Sequence, residues 1–507
     1  MTANVRDLLN KVGPCLSSRL IQIMVDQGAT PEAARKRVER ASGVIRLSGV
    51  RFEKNAKFIY LDNQYGDARF WGALEVAFKT NGKAYWAVMV GLKRRGGACP
   101  KSLFPRICGA PIRRQKQLSP EIILERLISI HLLKEVQDDK SGEIWISFNP
   151  HCYNVLAPSL EQRAIAITEN LAIAAIADWA RKLGFGSYAK FALRNDEKPP
   201  VVSGITWDVS APSYVRPLVS APNGEIKPGF FVCDVSLGHQ ISDEEVEVFV
   251  RKYDMAASPS KVAPIMGFLV ADGFAQAAYE RARSVGIIAA TTSQLFGQDV
   301  AKALNDLIKV LSDTGKTAAI NPEHLENVMN RLTRIEGASA NLRGSLFELV
   351  VGNLLVAVTG GYLTVGYKIS NIAELDVLVD LEEEGRSIIV ECKAKIPGAM
   401  VSLEEVKRWY SNRIPLINEA IRPYGINYVD RKFEFEIWTN GTFHPAAIEW
   451  LEQQQTELDK HTVAWRDGAA IKQYSQHDNV SPHTRGILRD YYFNNPRTSI
   501  YPADIEG

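Results

Sequence analysis

Apolar positions in the last third of the chain fall into alternating strand-like and helix-like periods. ELDVLVD and SIIVECKAK are short, apolar, β-branched stretches that read as two strands. A helical run, RGSLFELVVGNLLVAV, precedes them, and SLEEVKRWY, opened by Ser402, follows them. FEFEIWTNGTF predicts a further strand, and a second helix, the short strand TVAW and RDGAAIKQYSQ complete the series. Side chains alternate faces along a strand, so Glu391 and Lys393 share a face and Cys392 takes the other.

The middle of the chain predicts the same order of elements over residues 160–297. FVCDVSLGHQISDEEVEVFVRKY parallels IVECKAKIPGAMVSLEEVKRWYSNR, and GFLVADGFAQAAYERA parallels EIWTNGTFHPAAIEWL. SGITWDVSA stands where ELDVLVD would be, and ENLAIAAIADWARKLGF where the first helix would be. Such a repeat has to be sought before a fold is chosen. Aligned on FVCDVS and IVECKA, Cys233 falls at Glu391 and Val235 at Lys393. Asp208 keeps an acidic strand position, and Asp234 is expected on the opposite face.

The N-terminal third has a different rhythm. SSRLIQIMVDQG predicts one amphipathic helix, and Thr30 followed by Pro31 and Glu32 marks the start of a second, PEAARKRVERAS. An alternating stretch, VIRLSGVRFEKNAKFIYL, follows. This arrangement resembles a winged helix, which implies that Arg35, Lys36, Arg37 and Arg40 face the major groove. The rival is a solvated helix in a protein-binding winged helix. Residues 67–150 predict a second such fold, with Ser119 capping LSPEIILERLISIHLLKEV and a hairpin at Gly142 ending in EIWISF.

Charge adds one feature that the total conceals. The 507 residues carry a net charge of only +2, yet ten Lys or Arg and no Asp or Glu lie between Phe78 and Glu121. Lys93, Arg94, Arg95, Arg106, Arg113, Arg114 and Lys116 belong to that run, which predicts a phosphate-binding patch. The alternative is an ordinary solvated face. Hydrophobic content of 46% and charged content of 23% describe a globular chain, and its length suggests three or four domains. The longest apolar run contains Glu348 and Asn353, so it predicts a buried helix and not a membrane span. No signal or targeting sequence opens the chain. Six cysteines form no CxxC and the histidines do not cluster, which argues against structural zinc and for a reducing cytoplasm. No Walker A pattern occurs, so an ATP-driven step would need a partner.

Two carboxylates beside a lysine on adjacent strands can hold a hard divalent cation and assist attack on a phosphodiester. Glu348, Asp376, Glu391 and Lys393, in this order and on these elements, resemble the PD-(D/E)XK nuclease superfamily, and the run of parts is similar to its Mrr-like branch. The ELDVLV and VECKA stretches also look like nuclease domains of CRISPR-associated sensor proteins. The resemblance covers about residues 335–480. It implies metal ligation by Asp376, Glu391 and Glu348, Mg²⁺ with Mn²⁺ as substitute, and Lys393 as catalytic cation. Lys395, Lys407 and Trp409 are weaker substrate-contact candidates, each more readily explained as part of a solvated face.

The expected architecture is a multidomain α/β chain. A winged helix over 1–66 and a second, basic winged-helix-like domain over 67–150 come first. A degenerate restriction-endonuclease-like domain over 160–297 and a helical connector over 298–334 follow. An active domain over 335–480 and a tail over 481–507 close it. The implied function is a metal-dependent endonuclease on double-stranded DNA, in prokaryotic anti-phage defence, restriction or DNA repair, as a homodimer or with a partner such as an ATPase or helicase. A non-catalytic DNA-binding or assembly protein, and a nuclease acting on RNA or single-stranded ends, are the alternatives. The intact Asp376, Glu391 and Lys393 set argues against the former.

Overall fold

Capping chemistry sets where helices of the N-terminal third begin. Thr30 accepts a hydrogen bond from the Ala33 N–H at the head of helix Pro31–Arg40, and Ser119 accepts one from Ile122 at the head of Pro120–Ser129. The computed structural model describes residues 4–113, 117–138, 143–155, 158–196, 198–220, 226–258, 263–312, 322–332, 339–369, 373–395, 399–421, 431–455 and 462–493. They form a mixed α/β chain in two compact units. The first runs to Leu295, and the second begins at Phe296 and takes in Arg163–Ala175.

The first unit opens with two small folds of one topology. Helix Val5–Val12, strand Cys15–Leu16, helices Ser17–Asp26 and Pro31–Arg40, and strands Ile45–Arg46 and Phe58–Tyr60 follow in order. The last strand lies between the other two, antiparallel to both. Helix Lys83–Arg94, strand Ala98–Pro100, helices Phe104–Cys108 and Pro120–Ser129, and strands Leu133–Gln137 and Ile144–Phe148 repeat that order with the same central strand. At residue 66 the chain passes directly into the next helix. Asp67 caps helix Ala68–Asn81, whose Phe70 packs edge-on against Phe58 and Tyr60 with ring centroids 5.5 and 5.0 Å away. Phe78 stacks on Phe52, and one apolar cluster reaches from Leu16 to Phe148. Each such aromatic pair adds about 0.5–1.5 kcal/mol beyond burial, which ties the two folds into one core.

Two five-stranded sheets also share one topology. The first is ordered Ala192–Leu193, Val209–Ser213, Gly229–Ile241, Ile265–Phe274, Ile288–Thr291. The second is ordered Tyr362–Ile369, Ala373–Leu381, Arg386–Lys393, Lys432–Thr439, Thr462–Arg466. In each, the first three strands are antiparallel neighbours and the last three are parallel. Parallel neighbours need a crossover, supplied by helix Asp243–Ala257 in the first sheet. In the second it is Leu403–Arg408, a π-helical turn Trp409–Arg413 and helix Ile414–Ile421. Reciprocal capping boxes, Ser242 with Glu245 and Ser402 with Glu405, begin both crossovers.

The expected tail from Ser481 starts as structure, and its end, residues 494–507, lies outside the described residues. Helix Pro482–Ile487 leads into a π-helical turn, where Tyr492 is buried with its ring 5.1 Å from that of Phe347. An aromatic in a sparsely apolar segment found a core position that periodicity could not reveal. Helices Gln298–Ser312 and Pro322–Leu332 lie within residues 298–334. All six cysteines are free, and no described helix is long and apolar enough to cross a membrane.

Candidate active site

Asp376 lies on the second strand of the second sheet, and Glu391 and Lys393 on the third. The antiparallel register pairs Val377 with Val390, so one step further sets Asp376 across from Glu391. Both carboxylates are buried, at 5% and 6% exposure. Burial of a charge is costly unless it is paired, and here both are met. The Cys392 N–H donates to Asp376 Oδ2 at 2.8 Å, and Lys393 Nζ donates to Glu391 Oε1 at 2.8 Å. Arg413, at the end of the π-helical turn, places Nε 3.0 Å from Glu391 Oε2. Burial pulls the Lys393 pKa down. Pairing with Glu391 and the field of Asp376 outweigh it, so the lysine is held above its ordinary value as a cation.

Arg413 is the site residue that sequence reasoning missed. Its only sequence signal is its place in the crossover, a π-helical turn that helical periodicity does not anticipate. Glu348 is half-buried on helix Ser339–Thr359, which packs against the second and third strands. Among the described residues no three His, Cys, Asp or Glu side chains converge as a metal-holding group. Lys393 and Arg413 face the carboxylate pair Asp376 and Glu391 and balance its charge locally.

The first sheet holds the counterpart, in a frame one residue away from the expected one. The Val235 N–H donates to Asp208 Oδ2 at 2.8 Å, as Cys392 does to Asp376. The Gly238 N–H donates to Asp272 on the fourth strand, as Lys395 does to Asn440. Register gives the same answer, since Val209 pairs with Cys233 and places Asp208 across from Asp234. Asp234 thus corresponds to Glu391, Val235 to Cys392 and Ser236 to Lys393. The expected equivalences of Cys233 and Val235 were wrong, and Asp234 faces the same side as Asp208.

This second carboxylate pair is sealed by three cations. Arg106 lies 3.0 Å from Asp208 and 3.5 Å from Asp234, Arg194 3.2 Å from Asp208, and Lys252 2.6 Å from Asp234. Lys252 Nζ also sits 4.2 Å from the centre of the Trp207 ring. Burial pushes the Asp208 carboxyl up, but Arg106, Arg194 and the Val235 N–H bring it below the ordinary aspartate value. Arg106 arrives from helix Phe104–Cys108, which ends at Gly109 with a φ of +57°. A Cβ there would lie 3.3 Å from the Lys252 side chain, so glycine lets this helix end approach the sheet's crossover helix. A cavity of about 60 Å³ lies beside Asp234, lined by Arg95, Arg106 and Lys252 among others.

The remaining basic candidates divide by exposure. Arg35, Lys36, Arg37 and Arg40 all face solvent, while Ala34 and Val38 of the same helix are buried. Arg113 is exposed, and Arg114 and Lys116 lie outside the described residues. Four described cations of the run from Phe78 to Glu121 are compensated by acids outside it. Lys93 pairs with Glu75, Arg94 with Glu245, Lys79 with Glu244 and Lys101 with Glu135. Arg95 is buried at 6% exposure, so it is withdrawn from the phosphate-binding candidates. Lys395 pairs with Glu405, Lys407 Nζ lies 5.7 Å from the centre of the Trp450 ring, and Trp409 is a core residue.

No family model and no curated protein matches the chain. A solved structure of the MspJI restriction endonuclease in complex with a 27-mer oligonucleotide is similar in part. The two are 14% identical over 36% of this chain and 40% of that one, with a TM-score of 0.19.

Proposed function

We propose that the chain is a metal-dependent nuclease acting on duplex DNA, with its active site at Asp376, Glu391 and Lys393. The observation that carries this reading is a cationic lysine beside two buried carboxylates on adjacent strands. Glu391 and Asp376 favour the charged form of Lys393, which suits stabilising negative charge on the phosphoryl oxygens. The donor set fits Mg²⁺ or Mn²⁺, since one or two carboxylates suffice when water and substrate phosphate complete the shell. Asp376 and Glu391 would hold the ion, which when bound makes water more acidic and offsets charge on the phosphoryl oxygens.

The two small N-terminal folds are read as winged helices. In the first, helix Pro31–Arg40 buries Ala34 and Val38 and turns four cations outward, an arrangement that suits the major groove of a duplex. The first five-stranded sheet is read as a degenerate copy of the second that holds structure or DNA without cutting. Its acid pair survives, but Ser236 stands in the place of Lys393 and Arg106 fills the approach.

The test is incubation of purified protein with supercoiled plasmid in Mg²⁺, Mn²⁺ or EDTA, beside Asp376→Asn and Lys393→Ala. Metal-dependent nicking or linearisation is expected, reduced at least about 100-fold by either substitution. Cutting that survives both substitutions would place the chemistry elsewhere.

A further inference from the structure

In both sheets the crossover helix returns one cation to the carboxylate on the third strand. Lys252 reaches Asp234 at 2.6 Å, and Arg413 reaches Glu391 at 3.0 Å. The path from Ser402 to Arg413 is one residue longer than that from Ser242 to Lys252, and the π-helical turn Trp409–Arg413 takes up the extra residue. The two cations differ in freedom. The Lys252 side chain is 3% exposed, whereas that of Arg413 is 20% exposed.

We propose that Arg413 is a counter-ion and phosphate-positioning residue of the nuclease site, an inference that rests on the nuclease reading above. Glu391 offers Oε1 to Lys393 and Oε2 to Arg413, so a divalent cation approaching this carboxylate competes with the guanidinium for an oxygen. Arg413, once displaced from that oxygen, would lie beside the place where substrate phosphate would sit. A planar guanidinium fork matches two phosphate oxygens, which a lysine at the same place would not. The same residue therefore weakens metal binding in the free protein and strengthens phosphate positioning in the loaded one.

Those two effects have opposite signs, which separates the proposal from a purely structural role. Mn²⁺ binding by electron paramagnetic resonance without DNA, and plasmid cleavage at saturating Mg²⁺, would be measured for wild type, Arg413→Gln and Arg413→Lys. Arg413→Gln should tighten Mn²⁺ binding on the order of five- to tenfold, as loss of one competing charge implies. It should also slow cleavage about 10- to 100-fold. Arg413→Lys keeps the charge and loses the fork, so Mn²⁺ affinity should stay within about twofold while cleavage still slows. Weakened Mn²⁺ binding in the glutamine variant, or cleavage unchanged in both variants, would overturn the proposal. If the glutamine variant does not fold, the lysine variant decides on cleavage alone at matched Mn²⁺ occupancy. Wild-type protein that binds Mn²⁺ but cuts no DNA would sink the nuclease reading, and the binding comparison would still test the counter-ion role.

Discussion

Asp208 and Asp234 face Arg106, Arg194 and Lys252, whereas Asp376 and Glu391 face Lys393 and Arg413. Both acid pairs are buried, but the cations of the first set are 10% exposed or less, whereas Lys393 and Arg413 are 31% and 20% exposed, the difference on which the proposed division of roles rests. Removing one partner of a buried network leaves an uncompensated charge, so Arg106→Ala should destabilise the first unit by about 3–5 kcal/mol in chemical denaturation. Acid should act on the same group. Asp208 titrates below its unfolded value, so it contributes stability above about pH 4 that is lost as pH falls through the depressed folded value. A melting temperature that falls more steeply below pH 4 for wild type than for Asp208→Asn would support this, and parallel curves would contradict it. The sequence put Asp376 on one strand and Glu391 and Lys393 on its neighbour, where they lie, but slipped by one residue in the first sheet. Strand Gly229–Ile241 is buried on both faces through most of its length, so apolar alternation gives no face label to fix the frame. Only register and the Val235 and Gly238 hydrogen bonds supply it.

Among the elements, helices with local start signals were legible and charge clusters were not. Thr30, Ser119, Ser242 and Ser402 each stand at the cap of a helix, because capping chemistry is written within four residues. The basic run after Phe78 looked uncompensated because its acids, Glu75, Glu135, Glu244 and Glu245, lie outside that run in the sequence. Exposure leaves helix Pro31–Arg40 as the stronger candidate for phosphate contact. Lys36→Ala and Arg40→Ala should each weaken duplex binding across sequences and reduce the salt slope of affinity by about 1. Lys93→Ala should leave that slope unchanged, since Lys93 is engaged by Glu75 at 2.6 Å and its ammonium lies 5.1 Å from the centre of the Tyr153 ring. Fluorescence anisotropy at several salt concentrations checks all three. Equal effects at Lys36 and Lys93 would return phosphate binding to the basic run.

Among the described residues, two sheets of one topology each carry an acid pair on their second and third strands. On the proposed reading, one competent site would cut one strand in each encounter, so double-strand breaks would require a second copy, a second encounter or a partner. Mixing wild type with Lys393→Ala protein should lower double-strand cutting per wild-type chain if two copies act together, while nicking persists. Unchanged double-strand cutting per wild-type chain would exclude that arrangement. The division of labour between the sheets is tested most directly by plasmid nicking with Asp376→Asn and Asp234→Asn side by side, each checked for folding by thermal melting. Nicking should be lost in Asp376→Asn and retained in folded Asp234→Asn. Nicking retained by Asp376→Asn and abolished by folded Asp234→Asn would place the active pair in the first sheet and contradict the assignment.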